Sequence, residues 1–369
     1  MKIDTLSREH ALKLTCLKTQ ITLVRNVADY PFPTRNATGP TPPLNQWLEQ
    51  LAAVHPFEDL TGTDFAATAS SCRYGLADTE DQGPAYRLLE FTVTEGEVTH
   101  TIFCELMAGN HFTFSMTGPE IDFTERIAFL ERFVDRFAPV FNFAYDEQFG
   151  YLTTLPTMTG TGLRIRSWMH LPGLSYLDYL RQMVQTAEVK GIFTEYMPGE
   201  EPPPGDLFIF FNRFSLNLPL ATIVRDYQTF LFRLAKQEIK ARMRLAYDRV
   251  EHLYDEVIRM RLIAGHSNLI AEREVLNLLS SYYIACTTGA IKPINLGFEA
   301  EECFDVVRDA LHLIVLPKVI SPTAIQTLPA VYQQLSTPVP NPDVLRALWC
   351  RKLAKVKFTP QFLRRVNRQ

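Results

Sequence analysis

Long apolar runs are missing from this chain. No stretch of its 369 residues approaches the roughly 18 consecutive apolar residues that a membrane helix needs. Met1-Lys2-Ile3-Asp4 opens into mixed polar sequence without the apolar segment of a secretion signal. A cytoplasmic protein with no membrane partner is the expectation. An excess of one charge is missing too: 37 Lys and Arg against 41 Asp and Glu leave a net charge of -4. That balance gives no global reason to expect nucleic acid as a partner. The six cysteines (Cys16, Cys72, Cys104, Cys286, Cys303, Cys350) stand singly, with no C-x-x-C pair. No metal site and no disulfide framework are suggested, and the thiols read as reduced and mostly buried.

What is present is an ordinary globular composition, 46% hydrophobic and 21% charged, over a length sufficient for two domains. Residues 86–107 hold two β-prone runs hinged at Glu95-Gly96, and LFIFFNRF from Leu207 to Phe214 reads as another strand. IAFLERFVDRF places Ile127, Leu130, Phe133, Val134 and Phe137 on one helical face. From Leu220 onward the pattern is helical, with further helices near 271–284, 300–315 and 342–356, the last starting at Asn341-Pro342 as cap and first turn. The strand-rich pattern stops there, so the chain divides into residues 1–218 and residues 219–369. The end carries seven basic residues between Arg351 and Arg368 and no acid. Such a run either docks an acidic partner or is a solvated tail.

The most informative segment is DEQFGYLTTLPTMTGTGLRIRSWMHLP, Asp146 to Pro172. It resembles the phosphagen kinases, and within them the bacterial protein-arginine kinases, whose segment runs G-Y-L-T-x-C-P-T-N-x-G-T-G-x-R-A-S-x-x-x-H-L-P. Arg25-Asn26 followed by Tyr30-Pro31-Phe32-Pro33 resembles an upstream element of that family. Gly191, Asn212, Ser215 and Leu216 match later ones, and Leu278-Leu279-Ser280 and Asp343-x-x-Arg346-Ala347 match motifs of its C-terminal domain. The resemblance implies an α+β fold: the phosphagen-kinase (glutamine-synthetase-like) catalytic fold, a large antiparallel sheet flanked by helices, followed by an all-helical C-terminal domain.

Transfer of a phosphoryl group from ATP to a guanidinium needs cations around the transferred group and a carboxylate to orient the guanidinium and take its proton. The resemblance places that carboxylate in N-E-E-D-H-x-R. Here the segment reads Met107-Ala108-Gly109-Asn110-His111-Phe112-Thr113, with Gly109 at the base position, Thr113 for an arginine and only His111 kept. The arginines of S-S-R-I-R are Gln20 and Thr22. The reactive cysteine is Leu155 and the following asparagine Met158. Nucleotide-pocket remnants are Arg164, Lys190, Arg25, Arg166, His111 and His170. Lys190 replaces an arginine and lacks its planar fork. Each has a plainer reading: Arg164 salt-bridged to an acid, Arg25 holding the fold, His111 and His170 packed or structurally hydrogen-bonded, Arg166 serving some other anion. Glu105 substitutes for the lost base only if the strand register shifts by an even number of residues. The phosphoarginine-pocket remnants are Asp343 and Arg346. Pro342 takes the place of an arginine there, and Asp343 also suits the first turn of a capped helix.

The expectation is a pseudokinase: a binding or regulatory subunit with no catalytic residue and no firm cofactor, ATP and Mg²⁺ entering only if the site is competent. The alternatives are an active kinase with a rebuilt site, using Glu105 or an acid of Glu200–Asp206, and a scaffold that binds no small molecule. By resemblance, its partners would be a kinase adaptor, an active kinase subunit or the protease and chaperone machinery of protein quality control. A homo-oligomer is a further expectation.

Overall fold

The computed structural model describes residues 8–33, 39–53, 87–95, 98–118, 123–195, 203–287, 291–294, 347, 350 and 357–360. In chain order the elements are α1 (Arg8–Lys13), β1 (Cys16–Arg25), α2 (Leu44–Ala53), β2 (Arg87–Glu95), β3 (Val98–Leu106) and β4 (Phe112–Gly118). They continue with α3 (Thr124–Asp135), β5 (Tyr145–Asp146), β6 (Gly150–Tyr151), β7 (Leu163–His170), α4 (Pro172–Tyr176), α5 (Leu180–Glu188), β8 (Ile192–Thr194) and β9 (Leu207–Asn212). The helices α6 (Leu220–Asp248), α7 (Val250–His266) and α8 (Glu272–Thr287) follow, then β10 (Ile291–Ile294) and β11 (Lys357–Pro360).

Seven strands form one antiparallel sheet in the order β2-β3-β4-β1-β7-β9-β8. Strand alternation sends Ile21, Leu23, Phe112, Phe114, Met116, Ile165, Met169, Phe208 and Phe210 to one face, all of them buried. There they meet the apolar stripes of α3 (Ile127, Leu130, Phe133) and of the first half of α6 (Tyr227, Leu231, Leu234) in one core cluster. The Tyr227 hydroxyl, buried in that cluster, donates to the Phe210 carbonyl at 2.7 Å, which removes the cost of an orphan hydroxyl. A second cluster joins α7 and α8 to Leu17, Trp168 and Leu207 of the sheet, with Ala347 and Cys350.

The large antiparallel sheet flanked by helices and the helical region beyond residue 220 agree with the α+β expectation. One feature departs from an all-helical last third: Ile291–Ile294 pairs with Lys357–Pro360 as two antiparallel strands. Backbone ladder bonds between segments more than sixty residues apart leave no local sequence pattern to read. The boundary after residue 218 coincides with the start of α6, yet apolar packing runs across it, since α6 supplies the core of the sheet. The helix expected over 300–315, most of the one expected over 342–356, the remnants Asp343 and Arg346, and most of the basic run lie outside the described residues.

Buried polar contacts join the sheet to the helices. Glu238 of α6 accepts the Gly173 and Leu174 amides at 3.0 and 2.9 Å and the Arg242 Nε at 2.6 Å. Arg242 donates onward to the Leu14 carbonyl at 2.8 Å and the His170 carbonyl at 2.6 Å. Both side chains are buried, so every bond replaces one that water would have made.

Candidate functional site

The second face of the sheet is polar, and the register fixes which residues share it. Gln20 pairs with Arg166 and Thr117, Thr22 with Arg164 and Ser115, Lys18 with Trp168, and Arg166 with Phe211. Directly opposed residues point the same way. The face therefore presents Lys18, Gln20 and Thr22 beside Arg164 and Arg166.

Arg166 forms an ion pair with Glu195, just beyond β8. The Arg164 guanidinium lies 5.2 Å from the Phe211 ring centroid, and its Nε is buried without a hydrogen-bond partner among the described residues. Burial, then the charges of Arg166 and Arg213, push the Arg164 pKa down, with Glu195 acting against them. Arg213 lies 4.7 Å over Phe193. Lys18 stands 3.9 Å over the Trp168 ring, and burial, followed by the Arg166 charge, lowers it to about 7. The result is an aromatic-walled cationic patch with one carboxylate at its edge, suited to hold an anion.

Several sequence candidates are employed otherwise. Arg25 is buried, donates to the Val24 and Thr161 carbonyls at 2.8 and 3.1 Å, and lies 3.5 Å over Tyr151. It clamps the glycine-rich segment to β1. His111 accepts the Val27 amide on Nδ1 at 3.0 Å, and its Nε2 faces the Pro31 carbonyl at 3.2 Å. Burial lowers its pKa to about 4. His170 contacts Ser280 Oγ at 2.8 Å and Arg242 Nη2 at 2.9 Å, and burial beside Arg242 holds it well below the usual imidazole range. Both histidines are structural, not lining groups of the cationic patch. Lys190 is exposed in the turn after α5. Leu155 is exposed and Met158 buried.

The glycines of the matched segment have a geometric cause. A Cβ on Gly160 would stand 2.5 Å from the Ser215 carbonyl oxygen, and one on Gly162 2.6 Å from that of Val24. Gly109 is the opposite case: it sits at φ +78 in the β3–β4 turn, and a Cβ there would meet nothing within 4 Å. Glu105 pairs with Thr113, which pairs with Val24, so it shares the polar face. Three strand spacings separate β3 from β7, about 14 Å. Asp206, at the start of β9, is at the other end of β7 from Arg164. Leu207 pairs with His170, six residues from Arg164 or about 20 Å along the strand.

A family model described as ATP:guanido phosphotransferase, C-terminal catalytic domain, matches residues 100–241. The protein-arginine kinase of Bacillus cytotoxicus is 25% identical over 300 residues, covering 77% of this chain and 81% of that protein. The chain is similar to the ATP:guanido phosphotransferase, or phosphagen kinase, family. Its curated relatives include the protein-arginine kinases of Halalkalibacterium halodurans, 29% identical over 187 residues (50% of this chain, 52% of that protein), and Bacillus cereus, 31% over 160 residues (43% and 45%). Those two alignments span about half of each relative's length. Among solved structures, the substrate-free duplicated taurocyamine kinase of Schistosoma mansoni is similar with a TM-score of 0.45 at 16% identity, over 65% of this chain and 36% of that one. A lombricine kinase gives 0.42 at 14% identity, over 65% and 71%.

Sequence reasoning missed Lys18, Glu195 and Arg213 as members of the patch. Lys18 is a lone cation in a β-prone run, and nothing local shows that Trp168, 150 residues on, will cover it. No helix among the described residues is long and apolar enough to cross a membrane. No group of three or more His, Cys, Asp or Glu residues that could hold a metal ion occurs among the described residues.

Proposed function

We propose that this phosphagen-kinase relative is a pseudokinase, a binding or regulatory subunit descended from a protein-arginine kinase. The observation that carries this reading is Gly109. The motif match puts the guanidinium-orienting carboxylate there, and the residue present offers only an open turn. Gln20, Thr22 and Thr113, neutral where the resemblance expects arginines, share the face of Arg164 and Arg166. Loss of one transition-state donor costs about 10²–10³ in rate, and loss of the base about 10²–10⁴. The cations that remain fit an anion such as a nucleotide phosphate held weakly. Mg²⁺, if bound with it, would neutralise phosphate charge.

The test is incubation with radiolabelled ATP and arginine-rich protein. The expected result is no acid-labile label on arginine above a Lys190→Ala control, and label above that control overturns the reading. A second reading, an active kinase with a rebuilt site, is favoured by Glu105, which is buried on the polar face. In that case the Glu105→Gln variant would lose the label. By the same family likeness the partners would be a kinase adaptor, an active kinase subunit or protein-quality-control machinery in the cytoplasm, held through the helical region beyond residue 218. Pull-downs comparing the full chain with Arg346→Ala bear on this: equal capture argues against the Asp343–Arg346 motif as the contact.

A further inference from the structure

A cavity of about 460 Å³ lies at the far end of β7 from Arg164, enclosed by α4, the turn before β9, the end of α6, α7 and α8. A second of about 530 Å³ adjoins it, sharing Glu256, Asn277 and Ser281. Both are of a size that holds small molecules. The wall is divided by chemistry. Asp206 and Glu256 supply two carboxylates, Leu245, Leu253 and Ile284 form an apolar cluster, and Arg249 and His252 add nitrogen groups.

Neither acid has an ion-pair partner among the described residues. Asp206 is bonded by Ser175, and burial together with the nearby Glu256 charge raises its pKa while Arg242 opposes the rise. Two carboxylates without an ion-pair partner among the described residues favour a cation placed between them. Arg249 lies 5.7 Å over the Tyr176 ring and makes no ion pair among the described residues. A guanidinium so placed suits a carboxylate. The cavity is also wired to the fold: Ser280, which lines it, bonds His170, and Asn277 accepts the Gly205 amide at 2.7 Å.

We propose that this cavity binds a free basic amino acid. Its side-chain ammonium or guanidinium sits between Asp206 and Glu256, its aliphatic stem on Leu245, Leu253 and Ile284, and its α-carboxylate toward Arg249 and His252. No ATP is needed for this binding, so it stands or falls apart from the kinase question. Calorimetric titration of the full chain with L-arginine, L-lysine, citrulline, agmatine and an arginine peptide blocked at both ends tests it. Arginine or lysine should give saturable heat and citrulline, neutral at the side-chain end, none. Agmatine and the blocked peptide, lacking a free carboxylate, should bind at least about tenfold more weakly, a loss of about 1.4 kcal/mol. The Glu256→Gln variant, with Asp206→Asn as a second and a thermal melt to verify folding, should weaken binding by at least about tenfold. The proposal is overturned by absence of heat from both amino acids, by equal binding of citrulline or of the blocked peptide, or by unchanged affinity in folded Glu256→Gln.

Discussion

Replacing Lys18 by methionine should flatten the pH dependence of stability between pH 7 and 9. Lys18 is 4% exposed, and its pKa falls from 10.5 in the unfolded chain to about 7 in the fold. Between those values the unfolded state holds the proton and the folded state releases it, so stability rises with pH across this window. Below pH 7 both states are protonated, and the folded state carries the full penalty of a buried charge. The shift of about 3.5 units corresponds to about 4.8 kcal/mol over the whole range. Integrated from pH 7 to 9, a folded pKa near 7 yields about 2.3 kcal/mol of stability for the native chain. The Trp168 ring beneath the ammonium, 3.9 Å away, favours the charged form by up to about 2 kcal/mol. That opposing effect reduces the gain to about 1 kcal/mol if it raises the folded pKa by a little over one unit. Urea unfolding at pH 7, 8 and 9 of the native chain and Lys18→Met reads the difference directly, because other groups titrate alike in both. The native chain should gain about 1–2.3 kcal/mol on the variant over this interval. Parallel curves, or a relative loss, would refute the claim that burial beside Trp168 and Arg166 holds the Lys18 ammonium below its ordinary pKa.

Arg242→Ala should destabilise the chain by about 3–5 kcal/mol, because it leaves the Glu238 carboxylate buried without its cation; chemical denaturation measures it, and a loss below about 1 kcal/mol would mean the pair is solvated. Gly160→Ala should lower the melting temperature, since its Cβ would fall 2.5 Å from the Ser215 carbonyl at a φ of +114; an unchanged melt would contradict that approach. Isothermal calorimetry should find ATP affinity no better than millimolar, each lost contact of about 1.4 kcal/mol costing about tenfold. Micromolar binding abolished by Arg164→Ala would revive the enzyme reading. Phe112→Ala, at the centre of the aromatic core beside Trp47 and Phe141, should cost about 3–5 kcal/mol by chemical denaturation. A loss under about 1 kcal/mol would show that this core repacks.

The sequence alone determined those features whose cause is local. The period-2 runs around Glu95-Gly96 fold as β2 and β3, the period-3.6 stripe of IAFLERFVDRF folds as α3, and the helical pattern after Leu220 folds as α6, α7 and α8. The family likeness was equally legible, and three glycines that carry it, Gly150, Gly160 and Gly162, stand where a Cβ would meet backbone. The tertiary structure alone decided what each polar residue does. Arg25, His111 and His170 read as pocket remnants in one dimension, yet they are consumed by hydrogen bonds to Thr161, Pro31 and Ser280. Lys18 became a perturbed group only because the fold buries it beside Trp168 and Arg166. Asp206 precedes β9 while Arg249 caps α7 and Glu256 lies within it, and they line one cavity only where α4, α7 and α8 leave a gap. Alternation along a strand fixes that two residues share a face, but not which strand lies beside it or what closes over it. Those depend on contacts between residues distant in the chain, and their energies have no signature in any local window.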